Sequence, residues 1–187
     1  MEEHLKTYNI LNNDEIRELS SSGIYKSFKK GDFLIKAGEV SKHLGFIHSG
    51  VFRTYYDTIE GNDTTYCLSF PNTFITAYSS YLAKEKSHLY IQALTDAELF
   101  VISKEALEHL TKKNMKWILF FKMITDTYYI ALENRVFELQ RENAETRYRN
   151  LMNNHPEYIQ KVPLQYIASY LGITQRHLSR LRAEIQF

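Results

Sequence analysis

Between Pro163 and Arg182 the residue types and their spacing set up a specific chemistry. Leu164, Ile167, Ala168 and Leu171 fall on one helical face, and Pro163 suits the first position of such a helix. Gly172 can take the left-handed conformation that stops the helix and turns the chain. Thr174 stands where a side-chain oxygen accepts from an amide two or three residues on, so a second helix begins there, with Leu178 and Leu181 facing inward. This second helix turns Gln175, Arg176, His177, Ser179, Arg180 and Arg182 outward. Arginine offers paired donors to guanine O6 and N7, and glutamine pairs with adenine N6 and N7. Thr174, Ser179 and the amides of a helix N-terminus hold phosphates. Helix, glycine turn and capped basic helix, over roughly Val162 to Phe187, form the pattern of a helix-turn-helix. The seven side chains from Thr174 to Arg182 named above are therefore the expected DNA-binding set. A solvated basic helix on a helical hairpin is the plainer reading of the same residues.

Charge points the same way, mildly. Residues 141–187 hold seven Lys/Arg against four Asp/Glu, whereas residues 1–140 hold sixteen against eighteen. Enzymatic chemistry finds little to work with. The single cysteine, Cys67, excludes a disulfide framework within the chain and any zinc or iron–sulfur site built from cysteine alone; it reads as a buried structural residue. A cupin-like metal centre needs clustered ligands such as His-x-His, but His43 and His48 stand five apart and no His-x-His occurs. No nucleophile elbow, P-loop or zinc-protease motif appears. No enzyme activity, metal or cofactor is therefore expected. The N-terminus is charged and lacks an apolar leader core, and no apolar run is long enough to span a bilayer. The chain reads as a cytoplasmic protein with no membrane partner.

Several elements must position the basic helix. Asp14 to Leu19 reads as a short helix with Asn12 or Asn13 as N-cap, ended at Ser20-Ser21-Ser22-Gly23. From Ile24 to Ile102 the pattern changes to short apolar and β-branched runs divided by turns. Strands are expected at Phe33–Lys36, Leu44–Ile47, Val51–Tyr56, Thr64–Leu68, Leu89–Ala93 and Glu98–Ile102, closing an all-β barrel or sandwich. No glycine or proline occurs from Ser103 to Glu142, which predicts one long helical unit. Ile118, Phe121, Thr125, Tyr128, Leu132, Arg135 and Leu139 form a stripe at three–four spacing, and Leu119, Met123, Ile130 and Phe137 lie elsewhere on the wheel. A helix apolar on two sides must be covered on two sides. A barrel this small covers one, and an identical helix is the simplest cover for the other. The stripe is thus the expected dimer face, against the plainer reading of a helix buried within a monomer. Ala144–Met152 is helical, and Asn153-Asn154-His155-Pro156 breaks it.

The fold class expected is α+β: an N-terminal β-barrel of double-stranded β-helix or jelly-roll type with a leading helix (residues 1–102), a long dimerisation helix (103–142), and an all-α helix-turn-helix domain (143–187). This order resembles the Crp/Fnr family of bacterial transcription regulators, whose barrel is of cyclic-nucleotide-binding type. The residues that carry the resemblance are Phe28-Lys29-Lys30-Gly31-Asp32 with Ala37-Gly38-Glu39, and Phe46-Ile47-His48-Ser49-Gly50-Val51-Phe52-Arg53. Ala144-Glu145-Thr146-Arg147-Tyr148, Ile167-Ala168-Ser169-Tyr170-Leu171-Gly172 and Leu178-Ser179-Arg180 match as well. The resemblance implies that Gln175, Arg176 and Arg180 sit at base-reading positions. It also implies a homodimer on double-stranded DNA, with RNA polymerase and a small-molecule effector as candidate partners. Cyclic-nucleotide binders of this family carry a Gly-Glu pair for the ribose and an Arg-Ser pair for the phosphate. Spacing back from Ala97-Glu98-Leu99 places these at Thr76-Ala77 and Ser87-His88, the candidate effector pocket. Neither pair matches, so weak binding of cAMP is expected. The iron–sulfur cysteine cluster of some members is missing too, and His43, His48 and His88 read as structural residues, not haem ligands. The other reading of the whole is a ligand-binding barrel that signals through protein–protein contacts.

Overall fold

The structure is a computed structural model, and residues 1–185 are described. The last two positions of the expected DNA-binding segment, Gln186 and Phe187, lie outside the described residues. Two short helices, α1 (Glu2–Lys6) and α2 (Asn13–Ser21), lead into strands β1 (Gly23–Phe28), β2 (Phe33–Ile35), β3 (His43–Ser49), β4 (Phe52–Asp57), β5 (Asp63–Ser69) and β6 (Phe74–Ile75). Helix α3 (Tyr78–Ala83) precedes β7 (Tyr90–Ala93) and β8 (Ala97–Ser103). The rest is helical: α4 (Lys104–Lys113), α5 (Met115–Arg141), α6 (Ala144–Asn154), α7 (Pro156–Lys161), α8 (Leu164–Tyr170) and α9 (Gln175–Ile185). This is the expected α+β class, with an N-terminal β-sandwich and C-terminal helices.

The strands form two four-stranded antiparallel sheets. Sheet A runs β1-β8-β3-β6 and sheet B runs β2-β7-β4-β5. Between them Ile35, Ile47, Phe52, Ile75, Ile91, Leu99 and Val101 make the inner core, as alternation along each strand requires. The outer face of sheet A carries Phe46, Phe74, Phe100 and Ile102. It is covered by Leu5, Ile16 and Leu19 of the N-terminal helices, Leu107 and Leu110 of α4, and Trp117, Phe120 and Ile124 of α5. The capping expectation resolves to Asn12, whose side chain accepts from Glu15 N at 2.9 Å while Glu15 returns the bond to Asn12 N at 2.8 Å.

Two expectations for the helical stretch need correction. The long unit from Ser103 to Glu142 is two helices, because Asn114 is extended (φ −152°, ψ 135°) and caps α5 by accepting from Lys116 N at 3.0 Å. Its amide also donates to Glu15 Oε1 at 2.9 Å, so α2 pins the break. The expected dimer stripe divides: Phe121 and Arg135 turn toward the protein, and the rest stay at least partly open. Phe121 packs into the core beneath sheet A, and the Tyr128 hydroxyl exchanges bonds with Phe74 N and O, both at 2.8 Å. Arg135 turns inward as well, its guanidinium 3.9 Å from the Tyr170 ring centre. Of the stripe, Ile118, Tyr128, Leu132 and Leu139 are exposed and Thr125 is half-buried. The open face continues through Met115, Ile118, Lys122, Thr125, Tyr129, Leu132, Val136 and Leu139, at alternating three and four spacing, flanked by Leu119, Ile130 and Phe137.

Candidate nucleic-acid interface

Helix α8 ends as its sequence directs. Gly172 takes φ +69°, Ile173 N bonds back to Ala168 O at 3.0 Å, and Gly172 N to Ser169 O at 3.1 Å. That pair of bonds is the Schellman stop, which a left-handed glycine makes without strain. Two residues later Thr174 opens α9: its Oγ1 accepts from His177 N at 3.2 Å and its carbonyl from Leu178 N at 3.0 Å. Leu178 and Leu181 anchor α9, and Ile167, Ala168 and Leu171 anchor α8, all buried. Ala168 leaves room for the two helices to cross closely.

Of the seven residues expected to face outward, five do so fully. Thr174, Gln175, Arg176, Ser179 and Arg180 are exposed, while His177 and Arg182 are partly covered. Of the arginines, Arg180 meets Glu184 at 3.8 Å across one helical turn, an exposed pair that competes weakly for the guanidinium. Thr76, Ala77, Ser87 and His88, the four candidate effector residues, differ in exposure and in partners. Thr76 closes β6 and donates to His43 O at 2.9 Å, with Ser41 Oγ at 3.0 Å. Ala77 is 0 % exposed. Ser87 is buried, and its hydroxyl donates to Leu89 O at 3.0 Å and accepts from Leu89 N at 2.9 Å. His88 faces solvent. The segment's polar groups are satisfied by the protein itself, and no cation or carboxylate comes from these four. An open groove of about 610 Å³ is lined by Lys26–Phe28, Gly31–Leu34, Lys36, His43 and Val101. Among the described residues no group of three His, Cys, Asp or Glu is placed to hold a metal ion, and no helix is long and apolar enough to cross a membrane.

Sequence reasoning missed the residues that join α8 to the sandwich. Arg53 of β4 is 1 % exposed. Its guanidinium donates to Asp63 Oδ2 and Oδ1 at 3.0 and 2.6 Å, and its Nε to Thr65 Oγ1 at 2.9 Å. Its Cζ lies over the Tyr55 ring at 4.3 Å from the centre and over the ring of Tyr166 in α8 at 3.9 Å. The adjacent Arg53 hydrogen bond holds the Asp63 carboxyl below its ordinary value. Ser169 of α8 accepts from Thr65 N at 2.8 Å. From α7, the Tyr158 hydroxyl donates to Leu68 O at 3.1 Å and its ring stacks on Phe70 at 4.3 Å. On the far side Arg135 of α5 donates to Tyr170 O. The one local signal was a charge inside the apolar run Val51-Phe52-Arg53-Thr54-Tyr55, with an acid across the hairpin.

Residues 25–114 match the family of cyclic nucleotide-binding domains. No curated protein sequence matches the chain. Among solved structures, a putative transcriptional regulator of the Crp/Fnr family from Eubacterium rectale superposes with a TM-score of 0.73 at 19% identity, over 96% of this chain and 85% of that one. FixK2 from Bradyrhizobium japonicum gives 0.74 at 17%, over 88% and 84%. The c-di-GMP responsive global regulator CLP of Xanthomonas campestris gives 0.75 at 13%, over 94% and 92%. The match and the likenesses agree on fold: a cyclic nucleotide-binding-type sandwich followed by helices.

Proposed function

We propose that the chain is a homodimeric, sequence-specific DNA-binding transcription regulator whose recognition helix is α9. The observation that carries this reading is the α9 face. A helix anchored by Leu178 and Leu181 and capped by Thr174 leaves Gln175, Arg176, Ser179 and Arg180 open to solvent on one side, a surface suited to a major groove. The structural neighbours named as regulators support it, since they share the sandwich-plus-helices arrangement over most of their length. The domain division follows: a sensor sandwich over residues 1–102, a dimer segment over 103–142 in which α5 does the pairing, and a DNA-binding unit from residue 143 onward.

The second copy covers the exposed α5 face, with Ile118, Tyr129, Leu132, Val136 and Leu139 in the seam. Pairing along it would set two recognition helices on a pseudo-palindromic site. The Glu142–Asn143 junction between α5 and α6 is the hinge at which an effector signal acts. The sandwich does not take cAMP at Thr76, Ala77, Ser87 and His88, because those positions lack the charges for ribose and phosphate. RNA polymerase and an effector of other chemistry remain partners of this reading.

Binding-site selection from random duplexes tests it. A single enriched motif with two half-sites is expected, with affinity falling steeply as salt rises. Arg180→Ala should weaken the selected duplex by ~1–3 kcal/mol, and Val136→Glu should shift the protein from dimer to monomer in light scattering. A protein that enriches no sequence and binds duplex without salt dependence would instead favour signalling through protein contacts.

A further inference from the structure

We infer that Arg53 is a positioning residue that mounts the DNA-binding unit rigidly on its own sandwich and so sets the separation of the two recognition helices in the dimer. The second half of this statement rests on the DNA-binding reading above; the mount itself does not.

Arginine is rarely buried unless its donors and faces are all engaged. Here the sheet alone engages most of it. Asp63 and Thr65 take the Nε, Nη1 and Nη2 donors, and the Tyr55 ring lies against its Cζ. Tyr90 stacks behind Tyr55 at 4.8 Å and 9° between planes. The guanidinium is thus held by groups of sheet B, and Tyr166 of α8 adds a ring contact from the other unit. Tyr90, Tyr55, Arg53 and Tyr166 form a chain of ring and cation contacts that crosses from the sandwich into α8. A cation close to two rings is attracted by both, and more strongly where water is excluded.

The other joints point the same way. Strand β5 is the edge of sheet B, and an uncovered edge presents unpaired amides. Helix α8 takes up one of these through Ser169, and α7 takes up the Leu68 carbonyl through Tyr158. Arg135 holds α8 from the side of α5. None of these joints uses a residue of the open α9 face. Docking and DNA reading are therefore compatible, and the contact acts as a mount, not as a mask.

Tyr166→Leu tests this, because it removes only the ring that bridges the two units and leaves the Arg53–Asp63 pair in its sheet. Amide hydrogen exchange of the full-length protein should show residues 164–170 exchanging about tenfold faster, while β1 and β8 keep their wild-type protection and Tyr166→Phe, which retains a ring, behaves as wild type. The second arm uses the duplex selected from the random pool by the wild-type protein, with one base pair added or removed between the half-sites. That change moves them by about 3.4 Å and rotates one against the other. Wild type should lose about a hundredfold in affinity, and Tyr166→Leu only about tenfold, with equal binding of both proteins to a single half-site. Unchanged exchange at 164–170, or an unchanged spacing penalty, overturns the inference. So does tighter binding of the selected duplex by Tyr166→Leu, which would make the contact a brake. If wild type selects no duplex, the DNA-binding reading and the spacing consequence fall together, and the exchange arm still decides the mount.

Discussion

The two sheets of the sandwich are covered on their outer faces in opposite ways. Sheet A is closed by hydrocarbon and aromatic side chains from segments that directly flank the sandwich, residues 1–21 and 104–124. Sheet B is closed by a unit that returns from beyond the α5–α6 junction, through a buried cation, hydroxyls and stacked rings beside an apolar cluster that joins Val51, Leu68, Phe70 and Leu94 to Val162, Ile167 and Leu171. Apolar burial is non-directional and grows with area. A guanidinium over a ring and a hydroxyl bonded to an edge amide are directional: they hold one arrangement and lose their value once it shifts. The first cover makes a permanent wall, and the second a seat with a defined angle.

The sharpest way to break this contrast is in the wall. Trp117→Ala should cost about 3–5 kcal/mol in chemical denaturation and take sheet A and the N-terminal helices down together. On the seat side, Arg53→Met should cost about 1–3 kcal/mol, mostly by loosening α8 and the β4–β5 hairpin. If Arg53→Met proved the costlier of the two, sheet B would be the structural wall. Asn12→Ala removes the capping box of α2 and should cost about 1 kcal/mol, read as a lower denaturation midpoint with α8 exchange unaltered. The smallest effect is in acid. The Asp63 carboxyl is held below its ordinary value of 3.8 by the Arg53 hydrogen bond. Its contribution is therefore complete above that value and is lost as pH falls through the lower folded-state value. With Asp63 45 % exposed, solvent screens the pair. Asp63→Asn should flatten this acid limb of the stability profile without moving the neutral plateau's slope.

What could be read from the sequence was what neighbours in the chain decide among themselves. Asn12 or Asn13 ahead of an acidic helical run, Gly172 before Thr174, and short alternating runs between glycine turns narrowed the cap of α2 to two candidates and gave the turn into α9 and most strands at nearly their observed bounds. Strands β1 and β6 went unread, β6 because two residues are too few for alternation to register and β1 because its mostly exposed residues show no alternation of burial. The break at Asn114 carries neither glycine nor proline and depends on Glu15, 99 residues away. On α5 the inward positions Phe121 and Arg135 could not be told from the open ones, because apolar residues surround that helix and several three–four stripes can be drawn; only packing says that Trp117, Phe120 and Ile124 face the sheet. At the candidate interface the outward residues of α9 were legible from helix geometry alone. The role of Arg53 was not, since its partners Asp63, Thr65 and Tyr166 meet only after two sheets have closed and α8 has come back over them.

The chain has a single tryptophan, Trp117, and it is 1 % exposed among Phe120, Phe121 and the other side chains beneath sheet A. Intrinsic indole emission therefore watches only one wall of the molecule. A melting curve followed by that signal would stay flat while α8 lifted from its seat, and would move only when the wall itself gave way. Tyrosine absorbance samples both covers, Tyr8 and Tyr128 at the wall and Tyr55, Tyr90, Tyr158 and Tyr166 at the seat, so a midpoint that departs from the indole curve would mark a seat that opens before the wall.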